Sequence, residues 1–494
     1  MTLATLGGLA LLAYVALTAG VAEVARRARR DHSPADHFLA ARSLGPVVLL
    51  LTLYATAYSG NSLLGYPGEA YRRGFSWVMS TGFMSAIIVL LHVLVPPLRR
   101  AAIRHRFVTP GDWITYRFGG DTLGRTLRIA VALSMAVACA NFLLAQLMAM
   151  GHVAGQITGG ALPYWAGVIL LAAMVLAYET LGGMRAVAWT DTTQGLLMLV
   201  ALAFLVTRLL GDFGGLGDLT RAVAAVRPAA VAVPPAAECA NWFSSLCLLG
   251  AGSVVYPQVI QRVYAAESGR ALTRALAAMT VMPLVTTTVV ALIGLAAIPR
   301  LSHLTGIAAD TVMPRMLTLW AAEGASGTAL GVLVLVGALA AIMSTADSVL
   351  LALASVVAGD VFGRPGDADT TTRFGQRVAV AIMGVTVLVA LVPRLTLWRL
   401  IELKMELLVQ CAPAYLLAAR WPGLRAGPTL AGLSAGTALT VAAMFLGVSR
   451  VGGVHAGVWA LAANVIVAVV GSLALSRGRS RALSRGRSRG SSRA

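Results

Sequence analysis

Ser344, Thr345, Asp347 and Ser348 place four oxygen-bearing side chains within five positions of an otherwise apolar stretch, residues 327–356. Inside a bilayer no water is at hand for them, so each needs a partner within the protein. Neutral hydroxyl and carbonyl oxygens suit a hard cation such as sodium, much as oxygens suit other hard cations. On a helix Ser344 and Ser348 share a face with Asp347 beside them. Thr345 is turned by about 100° from Ser344, which suits a site set between two helices. The plain alternative for any one Ser or Thr is a bond back to its own helix. A carboxylate at membrane depth is costly and normally functional, so the cluster reads as a cation site.

Two other stretches carry residues that open a helix. Residues 54–68 hold Ser59, Gly60, Asn61, Ser62, Gly65 and the Pro67-Gly68 pair; residues 250–258 hold Gly250, Gly252, Ser253, Tyr256, Pro257 and Gln258. Gly and Pro both disfavour continuous helix. Backbone opened at membrane depth is tolerable where it lines a cavity or binds a ligand, and secondary transporters build their sites this way. The alternative is close helix packing around small residues. Solute groups are expected around Ser59, Gly60, Asn61 and Ser62, around Ser253, Tyr256 and Gln258, and at Gln146, unless the buried amides simply bridge helices. Glu402, Lys404 and Glu406 form a third cluster. Glu402 and Glu406 share a face while Lys404 points elsewhere. Either these charges line an outer vestibule and favour an amine or a polyhydroxylated solute, with Glu402 and Glu406 as the candidate contacts, or they snorkel to water.

The elements that must position these residues follow from composition. The chain has 494 residues, 58% of them hydrophobic and 12% charged, in long runs without the alternation of a barrel strand. Each crossing takes roughly 20 apolar residues. Thirteen spans are expected: 3–24, 45–70, 75–97, 124–153, 161–180, 188–210, 236–260, 272–298, 327–356, 376–393, 397–419, 427–447 and 453–475. The first lacks a basic lead and a cleavage site and so reads as a retained span. The formal charge of +19 is not a nucleic-acid footprint, because the Arg residues sit in short loops and in a tail. Arg26 to Arg30, Arg99, Arg100, Arg104, Arg106, Arg262, Arg270, Arg274, Arg364, Arg373, Arg377, Arg420 and Arg425 all follow odd-numbered spans. The positive-inside rule then puts the N-terminus outside and the C-terminus in the cytoplasm, with Arg72, Arg73, Arg300, Arg394 and Arg399 on the minority side. Residues 476–494 are low-complexity and are expected to be disordered, as a solvated tail or one drawn to anionic lipid. The four cysteines lack metal-ligand spacing. The Gly-rich stretch at 214–217 lacks a following lysine. No loop is long enough for an enzyme domain, so no catalysis is expected.

Several local patterns resemble the sodium:solute symporter family, which includes carriers of proline, pantothenate, sugars and sialic acid. These are Phe38 to Gly45; Ser59-Gly60 with Leu64 to Gly68; Thr109 to Trp113 with Arg117-Phe118-Gly119; Gly182 to Gly195; Gln261-Arg262 with Ala265-Ala266; and Met343 to Ser348. Their shared order along one chain carries the resemblance. It implies an all-α membrane protein with a ten-helix core of the leucine-transporter type, two inverted repeats of five helices. The corresponding divisions are an extra helix and loop at 1–44, repeats at 45–210 and 236–419, and two further helices at 427–475. The two interrupted spans lie five apart and so cross in opposite directions, as such repeats demand.

For the ion, the resemblance implies a main sodium site from the backbone carbonyls of Ala55, Tyr58 and Ala341 with the hydroxyls of Ser344 and Thr345. A possible second cation site falls on Asp191, Ser344, Asp347 and Ser348. Asp347 stands where relatives with that site have a hydroxyl, which would either strengthen a second sodium or bind a proton. Asp191 also reads as a helix cap at the cytoplasmic edge beside Thr190, Thr192 and Thr193. The expected activity is sodium-coupled uptake of a small polar organic solute by a monomer in the plasma membrane. A proton-coupled carrier of the same fold and a membrane solute sensor are the alternatives. The family's aromatic sugar-binding pattern is not evident before Gln261-Arg262, so a sugar is disfavoured.

Overall fold

The computed structural model describes residues 3–29, 31, 33–301, 304–363, 368–392 and 397–490. Expectations about Arg30, Arg364 and Arg394, and about the side chains of Asn61, Arg399 and residues 477–494, lie outside the described residues.

Helices dominate, as the apolar runs require. The main ones are, in order, α1 (Leu3–Arg27), α2 (Pro46–Ala57), α3 (Tyr66–Arg73), α4 (Ser80–Arg104), α5 (Thr122–Ile157), α6 (Tyr164–Phe213), α7 (Ala236–Ser253) and α8 (Pro257–Ala265), with shorter helices at Pro34–Leu39 and Pro110–Phe118. There follow α9 (Gly269–Met279), α10 (Met282–Ala297), α11 (Ala325–Val356), α12 (Ala368–Ala390), α13 (Leu397–Leu408), α14 (Ala426–Phe445) and α15 (Ala456–Gly490). Short helices fill connections expected as loops, at Leu216–Val226 and Val312–Ala322. Among the described residues nine helical segments are long and apolar enough to cross a bilayer, or ten with α7 and α8 taken as one bent span. The remainder of the thirteen expected crossings fall where helices are broken, merged or short.

Both expected interruptions are present. The helix of α2 stops at Ala57, Tyr58 takes φ −101° and ψ 86°, and a wide π turn at Asn61–Gly65 leads into α3. A Cβ on Gly60 would lie 2.3 Å from Ile342 Cγ1, so only glycine lets the opened segment rest on α11. The α7 helix ends at Ser253, and Pro257 begins α8 after a 50° bend. Proline at the first position of a helix forfeits no hydrogen bond, because that N–H has no intrahelical acceptor. The chain before α2 is clasped to the end of α8: Leu44 N donates to Ala265 O (3.2 Å) and Glu267 N to Leu44 O (3.0 Å).

Residues 161–180 and 188–210, expected as two spans, are joined in α6 and divided by a kink at Gly183 (φ 58°, ψ −153°). That backbone is essentially reserved for glycine. A Cβ there would meet His37 O at 2.5 Å and His37 Nδ1 at 2.6 Å. Gly183→Ala is expected to destabilise the protein by about 1–3 kcal/mol from backbone strain alone, read as a lower unfolding midpoint in detergent. An unchanged midpoint would contradict the kink.

A helix apolar all round belongs in an interior, and α11 is that helix. Every residue of it from Val334 to Val356 is buried. It packs against α5 and α6 and also against α2 and α8, which brings its hydroxyls to both breaks. At the C-terminus α15 continues to Gly490, so the Arg-rich segment expected to be disordered is helical that far. Extending an existing helix avoids the unfavourable nucleation step.

Candidate functional site

The last carbonyls of a helix lack intrahelical donors, and the end of α2 offers such carbonyls directly to α11. Ala55 O accepts from Ser344 Oγ at 3.1 Å and from Thr345 Oγ1 at 3.4 Å. The same hydroxyls stand 3.0 Å and 3.0 Å from Ala341 O. A hydroxyl has one proton, so each of these two can satisfy only one of its two carbonyls at a time. Two carbonyl and two hydroxyl oxygens thus converge in a fully buried place. That donor set fits a small hard cation, which can face all four oxygens at once. Tyr58, the third expected carbonyl donor, is the cap residue whose peptide leaves the helical direction. Its ring is buried against Tyr54, with centroids 4.9 Å apart.

Asp191, Asp347 and Ser348 also come together, around a cation the protein carries itself. Arg262 Nη2 donates to Asp191 Oδ2 (2.8 Å) and to Ser348 Oγ (2.5 Å). Its Nε donates to Thr52 Oγ1 (2.8 Å) and its Nη1 to Gln258 O (3.0 Å). Thr52 Oγ1 in turn makes a short bond to Asp191 Oδ2. Asp347 receives Tyr178 OH on Oδ2 (2.7 Å) and Ser348 Oγ on Oδ1 (3.2 Å). Every member is buried, and Arg262 and Asp191 are 0% exposed. Ser344 belongs to the other cluster, with Ala55 and Ala341. The reading of Asp191 as a helix cap is corrected: it lies inside α6 beyond the kink. Thr190, Thr192 and Thr193 bond back to Ala186, Ala188 and Trp189 carbonyls within that helix. Arg262, expected as a loop charge that orients the chain, is likewise buried at the centre.

Next to the cation cluster a cavity of about 70 Å³ opens between the two breaks. Ser59 and Ser62 reach it from one break, and Ser253, Tyr256 and Gln258 from the other. Gln146 does not line it; its Oε1 accepts from Gly60 N (3.1 Å) and holds the opened backbone in place. Gly60 is packing against α11.

The α13 charges are arranged opposite to expectation. Glu402 pairs with Arg450 (2.6 Å) on the hairpin formed by Arg450–Val451 and Val454–His455. Glu406 Oε1 faces His455 Nδ1 at 3.7 Å, and its side chain packs on Gly457 of α15. Neither glutamate lines the cavity, whereas Lys404 does. The vestibule reading of Glu402 and Glu406 is therefore corrected. Helical spacing puts Lys404 on the side away from them, and packing turns that side inward.

A family model described as "SSF: Sodium:solute symporter family" matches residues 37–436. The chain belongs to that family. It is similar to the sodium/pantothenate symporter of Escherichia coli (strain K12), 26% identical over 383 residues, 74% of each chain. It is also similar to the osmoregulated proline transporter OpuE of Bacillus subtilis (strain 168), 25% identical over 449 residues, 90% of each. Among solved structures it resembles a Na+-coupled sialic acid symporter in a substrate-bound outward-open state, with TM-score 0.76 and 16% identity. That match covers 94% of this chain and 97% of the other. A nucleobase-cation-symport-1 transporter matches at TM-score 0.55 and 15% identity, over 89% of this chain and 96% of that one. At such identities the likeness establishes the fold: the leucine-transporter type, an inverted-repeat core with flanking helices, in a multi-pass membrane protein.

Within this symporter, sequence reasoning missed Arg262, Thr52 and Tyr178 as parts of the site, and singled out Lys404 without naming it as a solute contact. A signal existed for the first, since Gln258 and Arg262 are four apart after a proline-marked break and so share a face. Tyr178 and Thr52 had none, because their partners lie 169 and 139 residues away.

Proposed function

We propose that this symporter moves one sodium ion with one small organic solute into the cell by alternating access through the two broken helices. The observation that carries this reading is the pair of hydroxyls, Ser344 and Thr345, set against Ala55 O where α2 opens. Thr56 and Ala57, the next residues in the chain, line the solute cavity. Cation and solute would therefore share one segment of opened backbone. A sodium ion drawing Ala55 of α2 toward Ala341 and the two hydroxyls of α11 would fix the peptides that the solute meets. A ligand drives a conformational change only through unequal affinity for two states. This sodium can be held well only when α2 and α11 lie close, which supplies that inequality.

A single sodium is favoured because Arg262 already places a positive charge on Asp191 and Ser348. We assign the repeats to 45–210 and 236–419, the N-terminus to the outside, the C-terminus to the cytoplasm, and the working unit to a monomer in the plasma membrane without catalytic activity. The names of the relatives make pantothenate and proline the first solutes to try. The test is uptake of each, radiolabelled, into proteoliposomes under an inward sodium gradient or an equal potassium gradient. Accumulation with sodium at several times the potassium level is expected for at least one solute. Equal accumulation in both, for every solute transported, would defeat sodium coupling.

A further inference from the structure

Lys404 is 3% exposed and lines the solute cavity. Its Nζ lies 2.9 Å from the centre of the Phe142 ring and 5.4 Å from that of Tyr256. Among the described residues no carboxylate forms an ion pair with it. The two acidic residues nearest in sequence are directed elsewhere, Glu402 to Arg450 and Glu406 to His455. An aromatic face attracts an ammonium, yet a buried charge normally requires a counter-charge or full hydrogen bonding. A second donor faces the same space: Gln258, 1% exposed, lines the cavity, and its buried Nε2 has no partner. The hydroxyls of Ser59, Ser62 and Ser253 stand on the same walls. Met84, Ile87, Phe142, Leu249 and Ile401 make much of the remaining wall apolar, with Thr56 and Tyr66 also on it.

We propose that the solute is a small organic acid whose carboxylate is bound by Lys404 and the Gln258 amide, its carbon skeleton lying on the apolar walls. A carboxylate offers two oxygens, enough to take one bond from each donor, and charge-assisted bonds of this kind are the strong ones. The same ammonium rejects cationic amines, which adds discrimination by repulsion. Sodium also gains, since an anionic solute would enter beside the cation cluster and each would bind more tightly in the presence of the other. Lys404 is then the specificity-determining residue, where the sequence pointed to the glutamates and to an amine or a polyhydroxylated solute. The inference rests on the symport reading for its site and narrows that reading to one class of solute.

The experiment uses the full-length protein purified in detergent with sodium chloride. Thermal stabilisation is titrated with propionate, isovalerate, benzoate and pantothenate, with the amide of each, and with isoamylamine. At least one carboxylate is expected to stabilise the protein at concentrations well below those of its amide, and isoamylamine not at all. In Lys404→Gln that carboxylate should weaken by on the order of 100-fold, as for a buried charge pair that loses one partner, while half-saturating sodium measured without any carboxylate stays unchanged. Lys404→Arg should keep most of the preference. If every carboxylate is matched by its amide in the unaltered protein, the proposal is overturned, whether or not the variants fold. It is equally overturned if Lys404→Gln folds and keeps the carboxylate preference. A carboxylate preference that proves indifferent to sodium would defeat sodium coupling and leave the assignment of Lys404 standing.

Discussion

Arg262→Met is expected to lower the stability of the protein by roughly 3–5 kcal/mol and to abolish uptake. The guanidinium is fully buried and joins four elements: Thr52 on α2, Asp191 on α6, Ser348 on α11 and Gln258 on its own α8. Removing it leaves Asp191, whose Oδ1 already lacks a partner, buried beside Asp347 with no cation to offset either. Removing both partners of a buried pair is far milder than removing one. Arg262→Met combined with Asp191→Asn should therefore recover most of the lost stability. Uptake should stay low, because the tie between the second break and α11 is gone. Unfolding midpoints for the single and double variants make the check. A single variant as stable as the unaltered protein, or a double variant less stable than the single one, would show that the network is not what holds these helices.

The second large effect is expected at the cation cluster. Ser344→Ala and Thr345→Ala together should raise the sodium concentration for half-maximal uptake by on the order of 100-fold, about tenfold or more for each hydroxyl bound to a charge. Thr345→Ser keeps the oxygen and should stay near the unaltered value. Stability should change little, since each hydroxyl also bonds to Ala341 O of its own helix, a bond of small net worth. The measurement is initial uptake against sodium at saturating solute. Unchanged sodium dependence in the double variant would remove Ser344 and Thr345 from the site.

Much of this arrangement was legible beforehand. Apolar runs of crossing length dictated helices, because lipid offers the backbone no hydrogen bonds. The Gly-rich and Pro-marked stretches located both breaks, at Tyr58 to Gly60 and at Val254 to Tyr256. The hydroxyl cluster on α11 was visible by density alone. Less legible was the end of α15, where helix extends into an Arg-rich stretch whose composition suggested disorder.

What the sequence by itself determined is therefore local: where helices run, where they open, and which side chains share a face. Tertiary structure alone decided which face turns inward and who meets whom. Lys404 rather than Glu402 and Glu406 faces the cavity, and Arg262 lies between Asp191 and Ser348, 71 and 86 residues away. The physical reason is that helical periodicity gives directions relative to one axis and leaves the rotation of that axis in the bundle open. In a soluble protein hydropathy would settle that rotation. In a bilayer both the lipid and the interior are apolar, so only packing against the other helices sets it.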